Sequence, residues 1–121
     1  MKDVVNRWAP VLVWAGTIFA LSSIPSLEVT HEPIGNFLTR KAAHLGEYAL
    51  LFLLIFRAQG YQKPARAAVL TILYSVTDEL HQSLVPTREP KLIDVLFDAG
   101  GAIIGVAIWK YFLIRHPKLK I

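Results

Sequence analysis

Asp78 and Glu79 lie near the end of an otherwise apolar run, Ala67–Val85, and Asp94 and Asp98 open another, Leu92–Ile114. His44, Glu47 and Tyr48 interrupt a third run, and His81 and Gln82 follow the first acidic pair within a turn. Carboxylates beside imidazoles can move protons, hold a cation or accept hydrogen bonds from a ligand. A carboxylate near the middle of a membrane helix costs roughly 2.5–3.5 kcal/mol and usually faces a bundle interior or a wet cavity. Several such groups close in sequence point to a polar site cut into a small apolar protein.

Other chemistries lack their signatures. There is no GxSxG, no Walker loop and no Cys, so thiol catalysis and disulfides are excluded. Asp78-Glu-Leu-His81 is not the HExxH order of a zinc protease. His44, His81 and the carboxylates are candidate ligands for zinc, Mg²⁺ or Ca²⁺, but no spacing is diagnostic of a metal, and no cofactor is expected.

The elements that position these residues follow from composition. The chain has 121 residues, enough for one domain, with 54% hydrophobic and 18% charged residues. Soluble domains carry about 25% charged residues, and mean hydropathy here is +0.43. Four apolar segments, about 8–24, 37–56, 65–85 and 92–114, each approach the ~20 residues that span a bilayer. Trp8, Tyr61, Trp109 and Tyr111 fall near segment ends, as an aromatic belt requires. The expected fold is an all-α integral membrane domain, four transmembrane helices in an antiparallel bundle. Lys2 and Arg7 followed by Ala20, Ser22 and Ser23 also fit a signal peptide, although the apolar run is longer than usual for one.

Basic residues set the orientation. Lys2, Arg7, Arg57, Lys63, Arg66, Lys110, Arg115, Lys118 and Lys120 fall on one side of a four-span layout. The positive-inside rule makes that side, with both termini, cytoplasmic. The net charge of +4 forms no stripe that would suit nucleic acid, and a cationic rim facing anionic lipid is the simpler reading. His44, Glu47 and Tyr48, then Asp78, Glu79, His81 and Gln82, then Asp94 and Asp98, all fall in the outer halves of their helices. At ~100° per residue, Ser75, Asp78, Glu79 and Gln82 share one face of helix three. Lys41, His44 and Tyr48 align on helix two. Asp94, Asp98, Gly101 and Gly105 align on helix four, the last two as a GxxxG pattern that permits close helix approach. Asp94 has an alternative reading as an acidic residue complementing a helix N-terminus.

The set Lys41-x-x-His44-x-x-x-Tyr48, Asp78-Glu79-x-His81-Gln82-x-x-x-Pro86-x-Arg88 and Asp94-x-x-x-Asp98-x-x-Gly101-x-x-x-Gly105 resembles the VanZ-like family of small bacterial membrane proteins. The likeness covers roughly Lys41 to Gly105. It implies a four-helix domain at the cell envelope, in a family whose namesake is associated with low-level resistance to the glycopeptide teicoplanin. Many relatives have Asn where this chain has Asp98.

The expected function is binding of an anionic lipid, or of a lipid-linked envelope precursor, by its head group in an outward-facing polar pocket of a multi-pass inner-membrane protein. Arg88, with Arg40, Lys41 and Lys91, would form a cationic rim, and Arg88 is the best phosphate contact because its planar fork binds two oxygens. His44, Tyr48, Asp78, Glu79, Gln82, Asp94 and Asp98 would line the interior. One rival is an enzyme acting on a lipid phosphate, with His44, Glu79 and Asp78 in acid–base roles. The other is an accessory protein whose polar set only fixes helix register.

Overall fold

The structure is a computed structural model that describes residues 2–23, 33–84 and 92–115. These residues form four helices and no strand: α1 Lys2–Ser22, α2 Pro33–Ala58, α3 Pro64–Gln82 and α4 Leu92–Arg115. Two of them, α1 and the Val95–Phe112 stretch of α4, are long and apolar enough to cross a membrane, each with a mean hydropathy of 1.4.

The helix starts differ from expectation where the apolar run alone was followed. α1 begins at Lys2 rather than near 8, because Asp3 complements the dipole of its first turn. α2 begins at Pro33 rather than near 37, since proline's fixed φ suits a first helical position. α3 also starts on a proline, after Lys63 in the left-handed region at φ 56°. It ends at Gln82 rather than 85, and Ser83 and Leu84 close the last turn by donating to Glu79 and His81 carbonyls.

The α2–α3 turn is built by Gly60 at φ 73°. Its N–H bonds Arg57 O at 2.9 Å, and the Tyr61 N–H bonds Phe56 O at 2.9 Å. Those two bonds are the Schellman pattern, and the Phe56 and Tyr61 rings supply its apolar contact with centroids 5.8 Å apart. Pro10 sits inside α1 and cannot donate to the Asn6 carbonyl. Arg57 Nη1 donates to that carbonyl instead, at 3.4 Å.

α2 is the hub. It packs most extensively on α4 and also touches α1 and α3. The α2–α4 approach is close because α4 offers glycines there. A Cβ on Gly101 would lie 2.6 Å from Leu45 O, and one on Gly105 would lie 2.6 Å from Phe52 Cδ1. The expected GxxxG face is therefore the α2 contact. The interior is mixed, with polar side chains buried beside Ile18, Leu51 and Phe52, and the surface is largely apolar. Asp98, Ser75, Thr71 and Tyr48 are essentially fully buried, while Leu12, Val13, Ile103 and Leu84 are exposed.

Candidate functional site

All four helices send polar side chains to one end of the bundle. The deepest is Asp98 on α4, 1% exposed. Both its carboxylate oxygens are engaged. Ser75 Oγ on α3 donates to Oδ2 at 2.6 Å. His44 Nδ1 on α2 meets Oδ1 at 2.8 Å. Geometry follows from the helical registers: Asp98 stands one turn before Gly101, so the close α2–α4 approach carries it toward His44.

Asp78 forms a second centre, 3% exposed. Its Oδ2 accepts three bonds, from Ser22 Oγ of α1 at 2.8 Å, Tyr48 Oη of α2 at 3.2 Å and Gln82 Nε2 at 3.2 Å. Gln82 Nε2 also reaches Ser22 Oγ at 3.3 Å. Asp78 Oδ1 is buried and has no hydrogen-bond partner among the described residues. The two centres adjoin through α3, where Ser75 and Asp78 are a turn apart, and through α2, where the His44 and Tyr48 rings lie parallel with centroids 6.4 Å apart.

His44, Tyr48, Asp78, Gln82 and Asp98 are thus joined in hydrogen-bonded clusters at one level. Glu79 is also buried, on α3 beside Asp78. Lys41 Nζ lies over the Phe97 ring, 5.2 Å from its centroid, a cation–π contact between α2 and α4. Arg40 is exposed beside it. Asp94 belongs to the first turn of α4, but its side chain, like Arg88 and Lys91 altogether, lies outside the described residues. His81 is half-buried, stacked on Phe19 with centroids 4.0 Å apart and hydrogen-bonded through Nε2 to Ser23 Oγ at 2.8 Å.

The contribution of α1 was not anticipated. Ser22 and Ser23 read in the sequence as small residues of a cleavage signature, yet Ser22 donates to Asp78 and Ser23 meets His81. Two further bonds seat α1 in the bundle. Trp14 Nε1 donates to Glu47 O at 2.9 Å, and Tyr74 Oη donates to Ala15 O. The available signal was depth: the two serines end α1 at the level where the acids sit in the other helices.

Among the described residues, no three His, Asp or Glu side chains converge as a metal-ligand set. What the site offers is a buried acceptor pair and one imidazole partly open to the outside, its side chain 13% exposed.

A model of the VanZ/LLP1 family matches residues 4–115. The match takes in all four helices and extends the likeness beyond the Lys41–Gly105 motif span. No match was found among curated proteins or solved structures.

Proposed function

The chain belongs to the VanZ/LLP1 family, and from that premise we propose that it is a multi-pass protein of the bacterial inner membrane that binds the anionic head group of a lipid or lipid-linked envelope precursor. Family membership and two helices apolar enough to cross a bilayer point to a membrane protein. The proposal adds four spans with both termini cytoplasmic, on the strength of the basic-residue asymmetry. A link to glycopeptide tolerance enters through the family alone.

The observation that carries the reading is the set of buried polar side chains from all four helices at one end of an apolar-surfaced bundle. Bilayer-buried polar groups at this density mark functional sites by default. In the proposed arrangement the polar end opens outward at the interface. Arg88, Arg40, Lys41 and Lys91 meet phosphate there, and the inner polar groups receive the rest of the head group. Mass spectrometry of lipids retained by the gently purified protein tests this. One anionic lipid should be enriched in the wild type and lost in Arg88→Ala. An unchanged lipid profile would leave the accessory role standing.

The enzyme reading has one observation of its own. Asp98 holds His44 by Nδ1 and so orients the imidazole, as carboxylates do for general-base histidines. It predicts turnover of a lipid phosphate by the purified protein. Glu79→Gln discriminates further: the amide keeps most of the shape and hydrogen bonding, so folding with loss of function implies proton or cation chemistry, and retained function implies packing.

A further inference from the structure

We propose that His44 is an imidazolium ion-paired with Asp98 and that its Nε2–H is a phosphate-binding donor. The inference rests on the head-group reading above and gives it an inner contact, distinct from the cationic rim.

The argument begins with Asp98. Both of its oxygens are hydrogen-bonded, Oδ2 accepting from Ser75 Oγ and Oδ1 lying 2.8 Å from His44 Nδ1. A carboxylate that is 1% exposed needs a compensating charge nearby. His44 is the side chain bonded to it that can carry one, and their contact is short, at 2.8 Å. Asp78 gives the contrast. Its three donors, Ser22, Tyr48 and Gln82, are all neutral. Among the described residues, the contact between an imidazole and a buried carboxyl group is found at Asp98.

With Nδ1 committed to Asp98, the ring's orientation is fixed. The remaining ring nitrogen, Nε2, makes no hydrogen bond among the described residues, and the side chain is partly open. An imidazolium Nε2–H is a donor only. Its complement is an anionic oxygen, and a charge-assisted bond to phosphate is among the stronger hydrogen bonds available. Ammonium groups offer no acceptor to it. The ligand class is thus an oxyanion, and under the head-group reading a phosphoryl group, carried by a lipid or free in solution. Asp98 and Ser75 act as positioning residues.

The test uses the full chain, labelled with ¹⁵N-histidine, in neutral maltoside micelles, with His44 assigned by its loss in His44→Gln. Both His44 ring nitrogens should appear protonated at neutral pH, and Asp98→Asn should return the ring to a neutral form. Adding phosphatidylglycerol should shift the Nε2 signal, whereas adding uncharged diacylglycerol should not. His44→Ala should weaken phosphatidylglycerol binding by roughly tenfold or more, the loss of one charge-assisted bond. An equal Nε2 response to inorganic phosphate would keep the phosphoryl contact and remove the lipid from the proposal above. Phosphatidylglycerol binding that leaves Nε2 unmoved would keep the head-group reading and overturn this one. A neutral His44 in the ligand-free wild type would also overturn it, and that spectrum needs no variant to fold.

Discussion

The two ends of this bundle are joined by different physics. At one end, Ser22, His44, Tyr48, Ser75, Asp78, Gln82 and Asp98 are tied by directional hydrogen bonds. At the other, Phe56, Tyr61 and Trp109 meet ring to ring. Tyr61 stacks on Trp109 with centroids 4.5 Å apart, and Phe56 meets Trp109 edge-on at 5.4 Å. α2 passes from one regime to the other between Tyr48 and Phe52, about one turn. The aromatic end tolerates small displacements, because ring contacts fall off gradually with distance and angle. The polar end does not, because a buried donor or acceptor that misses its partner loses the bond and keeps the desolvation cost. The specific geometry is therefore concentrated where the candidate ligand would enter.

The sharpest way to break the contrast is Asp98→Ala. It strips Ser75 and His44 of their acceptor, and removing one member of a buried pair costs about 3–5 kcal/mol. Thermal unfolding in micelles should show the largest drop of any single change considered, together with loss of lipid binding. Trp109→Ala at the opposite end removes two ring pairs worth about 0.5–1.5 kcal/mol each beyond burial. Its melting temperature should fall by less, and lipid binding should persist. If Trp109→Ala abolished binding as fully as Asp98→Ala, the ends would not be functionally distinct.

The glycines give a finer comparison. Gly101→Ala forces a methyl against the Leu45 carbonyl and the Ala49 amide, which are helix backbone, whereas Gly105→Ala meets mainly the Phe52 ring. Overpacking costs about 1–3 kcal/mol. Gly101→Ala should sit near the top of that range, and Gly105→Ala near the bottom because a ring can rotate. Equal unfolding temperatures would show that the backbone approach at Gly101 is not a rigid constraint. The smallest effect belongs to Ser22→Ala. Asp78 Oδ2 keeps Tyr48 and Gln82, so the loss should be about 1 kcal/mol, read as a small shift in the same unfolding curve.

Much of this arrangement was legible in the sequence. The helices announce themselves by long apolar runs, and the gathering of His44, Asp78 and Asp98 at one level follows from matching depth once the runs are laid antiparallel. Gly101 and Gly105 mark a face of close helix approach because only small residues allow it. Three things were not legible. Helix starts at Lys2 and Pro33 depend on first-turn chemistry that hydropathy ignores. The role of Ser22 was hidden because serine is nearly neutral in hydropathy and resembles a cleavage site in that setting. The partition of donors between Asp78 and Asp98 depends on helix rotation and on distances of tenths of an ångström, which periodicity does not resolve.

The direction of synthesis adds a last consequence. Ser22 and Tyr48 precede Asp78 by 56 and 30 residues. His44 and Ser75 precede Asp98 by 54 and 23. Apart from Gln82, each donor has already left the ribosome when the acid it serves emerges. Under the proposed four-span topology, a chain entering the bilayer from its N-terminus delivers each costly acid to hydroxyls and an imidazole already waiting there. The reverse order would leave a bare acid in the lipid for the time needed to translate another helix. The chain's order of residues is, in this sense, also a timetable for its insertion.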